Sequence, residues 1–472
     1  YDELVGAGLP DDPQDHILDL DPRSFQSFNP GNEIAIQVFG ETDGIFNGDT
    51  DYILFYGESI DSKYTEDNIY WLTYGKVSQG IRMGVRDASP GTADSPAYHI
   101  KNKHHEENIW YMSSAPGDDD LDRWLGKYMY ATSSNPASLS YTIALEDVVP
   151  SVNSHIRVSI LGNNQIPDHH VKIYVNEVYL GEAIWAGISW QVLDLPIPEG
   201  TLVSGSNTIR IDSPISPSGL DYLYIEEIDI SFSAGFKAAE GELAFTYAEP
   251  GTWEYNVTGF TSENISAYDV SSPAAPVMLE GFTVTPAESP ETGYIVQFQD
   301  LVEITSSYQL VEETAYQAVP ISSIEQDTPS NLQDPFKGAD HITITHKAFS
   351  AQADLLRDHR DSQGLRALAV DVQDIYDEFN HGIIHPSAIR DFLLYTYQYW
   401  QSPAPSFVVL LGDGSYDPKD YKNLGQTSFI PPYLSNVDLY MGETAADNRY
   451  VTLTGDDNFP DMMLGRLAVR TS

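Results

Sequence analysis

The sequence predicts a multidomain chain: β-rich N-terminal domains of sandwich or jelly-roll type, then a C-terminal α/β subdomain on a parallel sheet. Three observations predict it. Short alternating apolar segments broken by Gly, Pro and Asn recur through the first 338 residues, the pattern of half-buried strands and tight turns. Aromatic content of 12%, with 30 tyrosines, leans towards strands. After residue 340 the texture changes to strand, amphipathic helix, strand, helix and buried strand, a β-α-β-α-β pattern with right-handed crossovers.

Length and composition bound the reading. At 472 residues the chain exceeds one ordinary core, and roughly three or four domains are expected. The division expected is 1–103, 104–240, 241–338 and 339–472, the third ending in a polar linker, "SSIEQDTPSNLQDPFKGAD". A net charge of −46, from 70 acidic and 24 basic residues, repels nucleic acid and anionic membranes. It favours calcium, a saline habitat or plain solubility outside the cell. There is no cysteine, which excludes a disulfide, a thiolate metal site and a cysteine nucleophile within these residues. No apolar run is long enough to cross a bilayer. A start at Tyr1 rather than Met is expected of a processed or excised chain.

In the first unit, "EIAIQVF", "YILFYGE" and "NIYWLTYG" succeed one another at strand spacing. Between the first two, Asp43, Asn47, Asp49 and Asp51 sit close together among glycines. Oxygen ligands spaced in this way suit calcium, although the loop lacks the helix–loop–helix signature. An acidic hairpin turn is the alternative.

The second unit contains "HVKIYVNEVYLGEAIW", two alternating strands about an Asn-Glu turn, and is closed by "SNTIRIDSP" and "YLYIEEIDISF". Turns every 8–12 residues or so point to a sandwich or jelly roll. Trp185 and Trp190 are candidates to stack on a sugar ring, with core packing as the alternative. "HHEEN" resembles a metal cluster, but neighbouring residues of an extended chain face opposite ways. His104 and His105 are therefore not expected to chelate one ion, nor are His169 and His170. The third unit, with "GFTVTPAE" and "GYIVQFQD", continues in the same β style.

In the last unit "HITITHK" is a strand, and "AFSAQADLLRDHRDSQG" is a helix that Gly364 terminates. "LRALAVD" is the next strand. "HPSAIRDFLLYTYQYW" starts a helix near Pro386, with Ile389, Phe392, Leu393, Thr396, Tyr397 and Trp400 on one face. "FVVLL" is then a strand buried on both faces, ending in "GDGSYDP". Ligands of parallel sheets collect beyond such strand ends, so Asp413, Ser415 and Asp417 stand where chemistry is normally found.

Three enzyme signatures fail there. A phosphate-binding loop needs a Gly-Lys-Ser/Thr ending, and no such lysine is present. A nucleophile elbow on Ser415 needs glycine where Asp413 stands. An aspartyl-phosphate site needs a carboxylate where Leu411 stands. What remains is Asp413 and Asp417 with Asp438, Glu443 and Asp447 downstream, beside Asn448. These oxygens are the expected ligands of a divalent ion such as calcium. The alternative is aspartate capping nearby amides and fixing the turn.

The segments "ADHITITHKAF", "HRDSQGLRALAVDVQDIYDEFNHG", "AIRDFLLYTY", "FVVLLGDGSYDP" and "DNRYVTLTGDDNFPDMMLGRLAVR" occur in an order that resembles gingipain-like cysteine peptidases. That group has a caspase-like fold and includes the sortase-like peptidase of the type IX secretion system. "YDELVGAGLPDD", "LDPRSFQSFNPGNEIAI" and "DYILFYGESIDSKYTEDNIYWL" resemble the β-rich regions that precede the peptidase domain in larger bacterial members. The resemblance implies a peptidase domain in two halves, with a His-Gly and a Cys as catalytic pair, both after the segment matched here by "LGRLAVRTS". The imidazole would generate the thiolate that attacks the scissile carbonyl.

No catalytic residue transfers to this chain, whose last histidine is His385. The expectation is the N-terminal portion of a secreted or surface bacterial endopeptidase, inactive alone. Its partners would be its own C-terminal catalytic half and a protein or glycan ligand at the sandwich. The alternatives are a non-enzymatic adhesive module and a type IX sortase-like transpeptidase.

Overall fold

The computed structural model describes residues 2–471 except 10, 13–16, 19, 49, 76–77, 151–153, 167, 217–218, 289–292, 439 and 456. Among the described residues, those before 340 form strands, turns and short helices, and three longer helices follow.

Two β-sandwiches share one long sheet. Its first half orders Ser189–Ile197, Ser154–Gly162, Asp221–Ala234 and His99–Glu106. Facing these is a four-stranded sheet of Ala137–Leu145, Gly205–Ser213, His169–Val175 and Val178–Trp185. Alternation puts Val171, Ile173, Val175, Ile209 and Ile211 inward against Ile156, Val158, Ile160, Ile228 and Ile230, all fully buried. Burying each such side chain contributes about 1.5–3 kcal/mol. The Asn-Glu turn closes His169–Val175 onto Val178–Trp185 with φ of 46° and 65° at Asn176 and Glu177, the left-handed pair of a type I′ hairpin.

The long sheet continues through Glu242–Tyr247, Ser306–Glu312, Ile265–Asp269, Val277–Glu280 and Gly84–Asp87. The two halves meet at a single residue pair, Thr246 with Ile100. Gly251–Phe260, Tyr294–Val302 and Thr283–Pro286 cover this half, burying Tyr255, Phe298 and Tyr308 between the layers.

In the N-terminal region the strands are shorter than their alternation predicts. "EIAIQVF" divides into Glu33–Ile34 and Gln37–Val38. Between them Ala35 N–H donates to Ala274 O and Ile36 bridges to Arg82. The chain changes partners within seven residues, so no single ladder extends.

The C-terminal sheet is parallel, in the order Ala367–Asp371, His341–Thr345, Phe407–Leu411, Met463–Leu467. Helix Ser350–Ser362 ends as expected before Gly364, whose φ is +87°. Helix Pro386–Tyr399 has proline in its first turn, and His385 caps it, its Nδ1 accepting from Ser387 N–H at 3.1 Å. Ile389, Phe392, Leu393, Thr396 and Trp400 are buried as the spacing predicts, and Tyr397 is half-buried.

Two elements lie outside the sequence pattern. Helix Val372–Asn380 follows its strand with no intervening loop, capped by Asp371 itself. Strand Met463–Leu467 adds a fourth position to the sheet. The polar segment read as a linker is fixed in place. Glu378 accepts from Leu332 and Gln333 N–H at 2.7 and 3.0 Å, and buried Trp400 Nε1 donates to Leu332 O at 3.0 Å.

Candidate functional site

At the carboxyl end of the sheet the turn "GDGSYDP" is held by the backbone. Gly412 and Asp413 N–H donate to Leu467 and Val469 carbonyls at 3.0 Å each. Asp413 Oδ2 accepts from Arg470 Nε at 2.5 Å and Oδ1 from Gly414 N–H at 3.0 Å. Asp417 is buried, and its two oxygens cap Tyr421 and Lys422 N–H at 2.9 and 3.1 Å. Ser415 Oγ in turn accepts from Asp417 N–H at 3.0 Å. These two aspartates do what aspartate does in a tight loop.

The downstream carboxylates are committed elsewhere. Asp438 accepts from Tyr440 and Met441 N–H at 2.7 Å each, and those amides hold its pKa below the usual range. Asp447 receives Nε and Nη2 of Arg466 at 2.7 and 3.1 Å, a bidentate pair. The same guanidinium donates to Gly412 O and Ile430 O at 3.1 and 2.8 Å. Glu443 is buried between Arg123, Lys63 and Tyr111. Burial pulls the Lys63 ammonium down, and Glu443 opposes the shift.

In this structure each of the five carboxylates has its own amide or cation, and the five do not converge on one point.

What the turn does make is an interface with the β-rich region. Tyr416 stacks on Trp124 at 6.1 Å between centroids with 9° between planes, and lies 4.8 Å from Tyr111. Tyr421 meets the other side of this cluster, 5.4 Å from Trp124. Lys419 Nζ donates to Asp61 at 2.6 Å and lies 3.6 Å from Asp122 and from Glu66. Asp119 accepts from Asn436 N–H at 2.8 Å and from Ser435 Oγ at 3.0 Å. Sequence reasoning missed this contact because its halves lie some 300 residues apart.

The N-terminal acidic loop is likewise closed on itself. Asp43 accepts from Ile45 N–H at 2.9 Å, and Asp51 accepts from Asn47 N–H at 2.8 Å and Thr50 Oγ1 at 2.9 Å. Asp49 lies outside the described residues. Both candidate tryptophans are half-buried. Trp185 lies 5.1 Å from the His169 ring and packs against the first sandwich core. Trp190 donates Nε1 to Pro116 O at 2.6 Å beside Leu161 and Tyr224.

The histidine pairs separate as expected. His104 Nδ1 lies 2.7 Å from Asp229, whereas His105 turns to the Tyr141 ring at 5.3 Å. His169 is buried against Asp221 at 2.6 Å, and His170 faces Glu182 at 3.0 Å. Two groups of three ligand-type side chains do come together among the described residues. They are His104 with Glu227 and Asp229, across adjacent strands, and Asp327 with Asp374 and Asp377. Neither was visible in sequence, because each draws on separate segments.

A four-stranded parallel sheet flanked by helices, preceded by a β-rich region, defines a multidomain protein with a caspase-like α/β subdomain. Residues 334–472 match the model of peptidase family C25, the gingipain family. The crystal structure of dimeric latent PorU from Porphyromonas gingivalis matches with a TM-score of 0.63 at 16% identity, covering 99% of this chain and 46% of that one. The fold thus extends through the β-rich region, and the chain spans less than half of that relative's length. Weaker local likenesses link parts of the chain to carbohydrate-binding modules. A CBM36 module in complex with calcium and xylotriose has a TM-score of 0.16 at 18% identity, over 22% of this chain and 77% of that one. A family 35 module from an environmental isolate has 0.18 at 14% identity, over 32% and 96%. No curated protein matches.

Proposed function

We propose that these residues are the N-terminal portion of a secreted gingipain-like cysteine endopeptidase. In this reading they supply the β-rich scaffold and one half of the peptidase domain, and the His-Gly and Cys of the catalytic pair lie beyond Ser472. The observation that carries the reading is the outer strand of the parallel sheet. Met463–Leu467 pairs on one side only among the described residues, and Met463 and Leu467 are 71% and 49% exposed. An unpaired edge strand offers a row of free backbone groups for further pairing, and parallel sheets are ordinarily covered on both faces, so this exposed apolar strand is the natural seat for the remaining half of the sheet and its helices. The family C25 match and the absence of cysteine here support the same division.

The domain scheme 1–103, 104–240, 241–338 and 339–472 belongs to this proposal, with strand His99–Glu106 crossing its first boundary. The sandwiches act in it as scaffold and as the seat of a protein or glycan ligand, with the half-buried indoles of Trp185 and Trp190 as candidate contacts. Calcium enters as a counter-ion to the charge of −46 in an extracellular setting. The test is the intact mass of the native protein, with sequencing of its termini. A longer chain, or a second fragment carrying His-Gly and Cys, supports the reading. A 52.4 kDa chain alone, inert towards unstructured protein substrates, sinks it.

A further inference from the structure

We propose that the cleft between the N-terminal β region, residues 327–331 and the end of helix Val372–Asn380 binds an ammonium or guanidinium group of the kind lysine and arginine side chains present. The cleft holds about 380 Å³, a volume suited to a small organic group rather than a bare ion. Phe28, Trp71, Asp327, Asp377 and His381 line it, and Trp71 Nε1 donates to His381 O at 2.8 Å. Thr73 also lines it, with a buried Oγ1 that has no hydrogen-bond partner. A buried polar atom left unpaired in a cleft calls for a partner that the protein does not supply.

The charge of the cleft selects the partner. The carboxylates of Asp327, Asp374 and Asp377 lie within 4.8 Å of one another. Among the described residues the Asp377 carboxylate has one hydrogen bond, from Gln373 Nε2 at 2.9 Å. Neighbouring Glu378, by contrast, is used up on Ser330, Leu332 and Gln333. Burial first, then the charges of Asp371, Asp327 and Glu378, push Asp374 up to about 6, with Lys337 the one cation opposing it. Asp377 is pushed up to about 6 as well, by burial first and then by Asp327, Asp374 and Asp371. At neutral pH these groups are ionised, close together and short of a counter-charge. An aromatic wall beside them favours an organic cation, which gains from the ring faces as well as from the carboxylates. The domain interface shows the contrast: there, buried Glu443 meets two cations of the chain itself.

The test is calorimetric titration of the 472-residue chain with acetyl-arginine amide, acetyl-lysine amide and acetyl-norleucine amide. Both cationic amides are expected to bind, and the isosteric neutral one is not. Asp327→Asn, at an exposed position, and Asp377→Asn are each expected to weaken binding by about tenfold without lowering the melting temperature, since each removes a charge from a like-charged cluster. Agmatine as a second probe distinguishes sources. Weaker binding than the arginine amide marks a polypeptide ligand, and equal binding a free amine, and either supports the site. Three results overturn it: no heat from either cationic amide at about 10 mM, equal binding of the norleucine amide, or calcium chloride alone saturating the cleft and excluding arginine amide.

Discussion

Arg123 and Glu443 lie 320 positions apart in sequence and meet at 2.6 Å, with both side chains fully buried. Lys63 and Tyr111 share the same carboxylate, so a single glutamate joins three segments of the β-rich region to the α/β subdomain. Removing one member of a buried pair leaves the other charged and desolvated, at a cost of about 3–5 kcal/mol. Glu443→Ala is therefore expected to lower the unfolding free energy measured by urea denaturation by that much and to open the 434–445 hairpin to limited proteolysis. A loss below about 1 kcal/mol would mean that water reaches the pair and that it behaves as a surface ion pair.

Calcium separates capping from coordination. Because Asp413, Asp417 and Asp438 each serve local amides or Arg470, calcium is expected to raise the melting temperature of the parent chain and of Asp417→Asn by the same increment. Asp417→Asn itself is expected to cost about 1–2 kcal/mol through lost amide acceptance. A calcium increment that vanishes only in the variant would restore an ion at the turn.

The legible parts of this chain were those whose cause is local. Pro386, the 3–4 spacing from Ile389 to Trp400, Gly364 and the apolar run at Phe407–Leu411 each act through neighbours in sequence, and each element forms where its residues place it. Helix Val372–Asn380 escaped because it abuts its strand, so no turn residue announces it. The site was less legible. An aspartate that caps an amide, one that pairs with Arg466 and one that binds a metal are identical in sequence, and only the partner tells them apart. For Glu443 the partners are Arg123 and Lys63, which no local pattern links to it. Cross-strand register, not spacing, brings His104 to Asp229.

The Asn176-Glu177 turn offers a test of the first sandwich. Glu177 holds φ of 65°, a conformation costing a residue with a Cβ about 1–2 kcal/mol. Asn-Gly is the preferred pair for this turn. Glu177→Gly loses only a 3.2 Å contact with Arg210 on an exposed edge and is expected to stabilise by about 0.5–1 kcal/mol once the greater freedom of glycine in the unfolded chain is counted. Differential melting of residues 104–240 within the full chain would show it. A destabilised variant would mean that the hairpin adopts another turn.

Glu226 has the largest upward shift among the described carboxylates whose shifted value is resolved. Burial first, and then the charges of Glu106, Asp122 and Glu227, raise its carboxyl to about 9 from an ordinary 4.5. Its Oε2 is buried without a partner. The folded state thus keeps a proton that the unfolded chain releases near its ordinary value. Below about pH 4.5 both states are protonated and the group contributes nothing. As pH rises from there towards 9 the unfolded state is increasingly favoured, and the destabilisation is complete above the folded value. Glu226→Gln keeps the shape and removes the titration. It is expected to leave stability unchanged at about pH 4 and to raise it by about 1–3 kcal/mol at about pH 8. Urea denaturation of parent and variant at the two pH values would decide it. Equal differences at both would mean that Glu226 is ionised in the fold and that a cation or water reaches it.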